Sequence, residues 1–127
     1  DRAVLRAMHF YGDNARVEKQ AAALKAGDFE TFKKYIIESG RSSYMYNQNV
    51  YSCKKASEQP VSLALSLSEK LLDGCGAWRV HGGGFAGTIQ AFVPLNKLDE
   101  YKDLMEKVFG SGSCYILSVR PVGGVEL

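Results

Sequence analysis

Histidine and cysteine are scarce in this chain, and long apolar or single-sign runs are missing; each shortage removes a class of function. There are two histidines and three cysteines in 127 residues. His9 and His81 do not stand at metal-ligand spacing from one another or from a cysteine, which argues against a zinc site. Cys53, Cys75 and Cys114 are odd in number, widely spaced and form no C-x-x-C pair. A disulfide framework is therefore not expected, and a reducing cytoplasmic setting is. The 16 basic residues are interleaved with 14 acidic ones for a net charge of +2. Without a Lys/Arg run, neither a nucleic-acid partner nor a membrane surface is expected. No apolar stretch approaches the ~20 residues of a membrane span, and no signal peptide is visible. An initiator methionine is also missing. Asp1-Arg2-Ala3-Val4-Leu5 enters an amphipathic pattern at once, as expected of a cut made in a longer protein.

What is present reads as one domain with an apolar fraction of 46%, enough for one core. Val4, Leu5, Met8, Tyr11, Ala15, Ala22 and Leu24 fall on one stripe of a helix over 2–26, a long helix with no evident partner surface in this chain. Gly27 supplies a stop and Asp28 a cap for a second helix over 29–39, ended by Gly40, so the two should form a hairpin. Residues 41–57 have no clear period and read as a polar, tyrosine-rich loop. A third helix over 58–73 has Pro60 in its first turn. Ala77–His81 and Thr88–Val93 are strand candidates around a glycine-rich turn, and 97–109 is a fourth helix. Tyr115–Val119 reads as a last strand, Gly123-Gly124 as a freed tail, and Val125–Leu127 or a segment upstream of the start as a fourth strand. The architecture is α+β: a small, mainly antiparallel sheet with packed helices.

The strongest chemical signal is Gly82-Gly83-Gly84-Phe85-Ala86-Gly87. Missing β-carbons permit positive φ and close approach of a ligand, and successive free N–H groups can form an anion nest. The competing reading is a tight glycine hairpin. Three motifs overlap this stretch and fail. G-x-G-x-x-G is matched by Gly82, Gly84 and Gly87, but a dinucleotide fingerprint opens a helix, and a strand follows here. His81-Gly82-Gly83-Gly84 is similar to an esterase oxyanion segment, but no G-x-S-x-G accompanies it. A P-loop needs a G-K-[ST] ending, which is absent. His81 stands at the loop mouth, where it can meet substrate or serve as a hydrogen-bonded structural residue.

Four stretches together resemble the carboxyl-terminal half of the galactokinases, within the GHMP small-molecule kinase superfamily. Arg2-Ala3-x-x-x-Arg6-Ala7-Met8-His9 with Gly12-Asp13-Asn14-x-Arg16-Val17 resembles the family's RA-x-HV-x-x-E-x-x-R helix. Ala22–Phe29 resembles its AL-x-x-GD turn. Ile37–Ser43 resembles its ESH-x-SL segment. Gly76–Gly87 resembles its GAR-x-TGGGFGG motif. Gly40 stands where the family usually has His, His81 replaces a Thr or Ser, Ala86 replaces a Gly, and Tyr44–Ser52 replaces the RDDYEVS stretch.

The resemblance implies a ferredoxin-like carboxyl-terminal domain over 1–127, a fragment whose amino-terminal catalytic domain is absent. It implies transfer of the γ-phosphoryl group of ATP, with Mg²⁺, to a sugar hydroxyl, galactose first among the candidates. The phosphate-cradling GLSSS loop and the catalytic Asp belong to the missing half. This chain is thus expected to hold no catalytic residue, to bind neither cofactor alone and to be inactive by itself. Gly82–Gly87 would line the cleft, with His81, Ser42, Ser43, Tyr44 and Tyr46 as candidate substrate neighbours. The expected partner is the chain's own amino-terminal kinase domain; an apolar surface exposed by the cut would also allow a dimer. The alternative is a stand-alone, non-catalytic metabolite-binding or oligomerisation module.

Overall fold

The structure, a computed structural model, describes residues 1–85 and 87–119. Among them four α-helices and two strands follow in the order α1 (Arg2–Lys25), α2 (Phe29–Ser42), α3 (Pro60–Leu72), β1 (Ala77–Val80), β2 (Ile89–Phe92) and α4 (Leu98–Phe109). The class is α+β, as expected, and the sheet is a single antiparallel pair with Ala77 opposite Phe92 and Val80 opposite Ile89.

The helical hairpin forms for local reasons. Asp28 caps α2, its carboxylate accepting from the Thr31 backbone N–H at 3.0 Å. That bond, made to the charged form, holds the Asp28 carboxyl below its ordinary pKa. Gly27, at φ +70°, turns the chain between the helices.

Gly40 does not end α2, contrary to expectation. The helix runs on to Ser42. A β-carbon at position 40 would lie 3.0 Å from Arg79 Cβ and 3.2 Å from the Trp78 carbonyl oxygen. Glycine is there because α2 lies directly against β1, and the missing side chain sets how closely they approach. The segment expected as a structureless loop over 41–57 is also more ordered. After the last turn of α2 the chain widens into a π-helical turn at Ser43–Asn47, reverses at Gln48 with φ +52°, and makes a 3₁₀ turn at Cys53–Lys55.

The core lies between the sheet and the later helices. Leu72, Trp78, Tyr101 and Met105 are buried together, with Leu65, Ala91 and Phe109 around them. Val50, Val61 and Val80 form a second cluster at the far end of β1. Tyr101 buries its ring but keeps its hydroxyl bonded to Ser68 Oγ at 2.8 Å, so no polar tip is stranded. Desolvation raises the pKa of that phenol, and the Ser68 bond lowers it by less. Lys33 and Lys97 donate to the carbonyls of Cys75 and Leu71 at 3.0 and 2.9 Å, cations at the carboxyl end of α3.

The expected third strand is not there. Residues 115–119 take no strand geometry, and Tyr115, Ile116, Leu117 and Val119 are exposed. β-branched and aromatic composition only suits a pleated surface, and a strand also needs a ladder partner, which this segment lacks among the described residues. An apolar groove of about 600 Å³ remains beside β2, walled by Ile89, Ala91, Phe92, Met105, Ile116 and Leu117. The expected freed tail at Gly123-Gly124 and strand at Val125–Leu127 lie outside the described residues. No helix among the described residues is long and apolar enough to cross a membrane.

Candidate functional site

β1 and β2 present the glycine-rich turn at the tip where they connect. The His81 backbone N–H donates to the Thr88 carbonyl at 3.0 Å, closing the hairpin below the turn, and the Gly87 N–H donates to the Gly84 carbonyl at 3.1 Å within it. Gly82, Gly84 and Gly87 have φ of +60°, +86° and +79°. Those values are open to glycine and strained for other residues. Gly83 has no positive φ, and a β-carbon there or at Gly82 or Gly87 would meet no atom of the described residues within 4 Å beyond its own chain neighbours. On that side nothing among the described residues blocks a ligand. Gly84 alone is buried: a β-carbon there would collide with the Asn49 carbonyl oxygen. Phe85 is exposed, and Ala86 of the expected site lies outside the described residues.

His81 is exposed at the loop mouth, and among the described residues its ring takes no hydrogen bond, so it remains available to a ligand. The other expected neighbours are placed differently. Ser42 is buried and shares a 3.0 Å hydrogen bond with His9 Nδ1. Ser43 is buried and donates to Asn49 Oδ1 at 3.1 Å. Both hydroxyls are engaged within the protein. Tyr44 is exposed, its hydroxyl 3.4 Å from Ser62 Oγ on α3, and Tyr46 is half-buried. The π-helical turn thus runs beside the glycine turn and touches it through Asn49, whose Nδ2 donates to the Gly83 carbonyl at 3.0 Å. Asn49 lies within the Tyr44–Tyr51 loop that sequence reasoning sets beside the sugar, but nothing there singles it out. Its only signal was a polar side chain between Gln48 and the apolar Val50, too weak to single it out.

A second polar cluster joins α1 to α2. Asp13 accepts from Ser39 Oγ at 2.6 Å and from Arg16 at 3.2 Å, and Arg16 reaches toward Glu38 at 3.9 Å. Partial burial lowers the His9 pKa; Asp13 opposes this, and Arg16 and Arg79 add to it. His9 is therefore neutral at pH 7. Among the described residues no group of three His, Cys, Asp or Glu side chains could hold a metal ion.

Against known proteins, the chain is similar to the galactokinase of Homo sapiens, at 28% identity over 122 residues. The match takes in 96% of this chain and 29% of the human protein, so the chain spans less than a third of that relative's length. No family model matches the chain, and no solved structure does. The relationship is galactokinase-like and distant.

Proposed function

We propose that this chain is the carboxyl-terminal part of an ATP-dependent sugar kinase related to the galactokinases, and that Gly82–Gly87 closes one wall of its active-site cleft. The observation that carries this reading is the glycine turn itself. It links the two strands at the tip of the hairpin, holds three positive-φ glycines and is unobstructed at Gly82, Gly83 and Gly87 among the described residues, inside a chain matched to a galactokinase over nearly its whole length. Backbone N–H groups in such a turn suit the oxygens of a phosphate. Phosphoryl transfer rests on positioning and charge stabilisation, which a turn of this kind can supply without a nucleophile or base of its own.

The rest of the machinery would come from elsewhere. With no three-ligand group among the described residues, Mg²⁺ would be held by another part of the enzyme together with the nucleotide. ATP would supply the transferred phosphoryl group, and galactose is the first candidate acceptor. α1 supports an incomplete structure: Val4, Met8 and Tyr11 on its apolar stripe are 62%, 54% and 72% exposed. An amino-terminal kinase domain would cover that stripe.

The test is ATP-dependent phosphorylation of a hexose panel led by galactose, with this chain and its proposed parent assayed side by side. Activity on galactose in the parent alone is expected. Activity in this chain alone would mean that a complete site lies within it, and silence in both would overturn the kinase reading.

A further inference from the structure

Asn49 occupies an unusual position. It is 5% exposed, yet it belongs to a polar, tyrosine-rich stretch and is the one side chain among the described residues that hydrogen-bonds to the glycine turn. We propose that Asn49 is a positioning residue that sets the orientation of the Gly83–Gly84 peptide, and so turns the Gly84 N–H away from itself as an anion donor. The identity of that anion, the phosphate chain of the nucleotide, rests on the sugar-kinase reading. The positioning itself does not.

The local backbone explains how Asn49 reaches the turn. The widened turn at Ser43–Asn47 closes with the Gln48 N–H donating to the Ser43 carbonyl at 3.1 Å. Gln48 then takes the left-handed conformation, φ +52° and ψ +45°, which reverses the chain. The reversal turns the Asn49 side chain back over Ser43 and toward the glycine turn. On its other side Val50 is buried with Val61 and Val80, immediately before His81 and Gly82. Asn49 is therefore pinned at both ends, by a helix terminus and by a core residue packed at the end of β1.

The chemistry of the side chain matters as much as its place. Its Oδ1 accepts from Ser43 Oγ while its Nδ2 donates to the Gly83 carbonyl. One planar group must accept on one side and donate on the other, which an amide does and a carboxylate does not. Gly84 closes the arrangement. A β-carbon there would meet the Asn49 backbone oxygen and lie 3.0 Å from its Cγ and Nδ2, so Asn49 occupies the space of the absent side chain.

A trans peptide is planar, and its C=O and N–H point in opposite directions. No peptide bond among the described residues is cis. With the Gly83 carbonyl drawn inward to Asn49, the Gly84 N–H points away from Asn49, and it takes no partner among the described residues. The same bond keeps the Gly83 carbonyl oxygen, which would repel an anion, on the Asn49 side of the peptide. If this peptide were released to flip, the turn would present an acceptor where a donor is needed.

The test has two arms. In this chain, Asn49→Asp keeps the shape but removes the donor, and Asn49→Ala removes both bonds. Amide hydrogen exchange at His81 and Gly87, whose N–H groups are bonded within the turn, is expected to rise about tenfold in either variant, the scale of one lost hydrogen bond. Should Asn49→Ala not fold, Ser43→Ala loosens only one end of the clamp and is expected to raise the same exchange by a smaller factor. Unchanged exchange would overturn the proposal.

In the proposed parent enzyme, Asn49→Asp is expected to raise KM for ATP about tenfold while KM for the sugar stays put. A change confined to the sugar would overturn the anion role and place Asn49 beside the acceptor. If the parent phosphorylates no sugar, the kinase reading fails, and the exchange arm still decides whether Asn49 holds the turn.

Discussion

The two ends of this chain are held together by opposite means. From α3 onward the core is mainly apolar: Leu72, Trp78, Tyr101 and Met105 exclude water, with the Tyr101 hydroxyl bonded to Ser68. The α1–α2 hairpin meets through polar groups, with His9, Asp13 and Arg16 on α1 facing Ser42, Ser39 and Glu38 on α2. Val4, Met8, Phe10, Tyr11, Val17 and Leu24 of α1 are exposed, while Ala23 is buried. An apolar core stabilises by area and is indifferent to partner. A polar seam depends on each donor finding its acceptor, and it leaves the apolar stripe free for another surface.

Substitutions can break this contrast in order of size. The largest effect is expected in the core. Leu72 is fully buried, and Leu72→Ala should destabilise the chain by about 3 kcal/mol, measured by denaturant titration. A cost under about 1 kcal/mol would mean that the core collapses around the gap, and is less close-packed than described.

In the seam, Asp13→Ala strands the wholly buried Ser39 hydroxyl and should cost about 2 kcal/mol. Adding Ser39→Ala should recover part of the loss, because the unsatisfied group is then gone. A strictly additive double variant would show that the two side chains act independently.

The seam should also respond to pH, unlike the core. The folded-state pKa of His9 is lowered from 6.5, so between that lowered value and 6.5 the unfolded chain binds more protons than the folded one. Its contribution is fully present above 6.5 and is lost as pH falls below it. Thermal melts from about pH 7.5 down to about pH 5.5 should show falling stability, with a shallower fall in His9→Gln. Identical slopes in both proteins would remove His9 from the seam's energetics.

The smallest effect in this chain is expected at the back of α1. Met8→Lys replaces an exposed side chain and should change stability by about 0.5 kcal/mol or less. In the proposed parent the same change should weaken the amino-terminal contact and lower the melting temperature. An equal, small effect in both would mean that the stripe has no partner there.

How far these features could be read from the chain alone follows the same division. Helix limits were legible because their signals are local: Asp28 at a cap, Pro60 at a first turn, Gly27 at a reversal. Gly40 was misread because a stop glycine and a packing glycine look alike until β1 is seen against α2. The strand at Tyr115–Val119 was expected from composition, but a ladder depends on a second segment that composition does not specify. The glycine turn was visible as a cluster of small residues. Its support by Asn49 was not, since the contact joins positions 34 residues apart through a left-handed Gln48.

Gly83 offers the most direct test of the proposed role. A β-carbon there meets nothing among the described residues and its φ is not positive, so Gly83→Val should leave the melting temperature of this chain unchanged. If the turn lies against the phosphates in the proposed parent, the same substitution should lower kcat/KM for ATP-dependent sugar phosphorylation by about a hundredfold, because a branched side chain blocks close backbone approach. Wild-type kinetics in a folded Gly83→Val enzyme would contradict that role and remove the glycine turn from the active site.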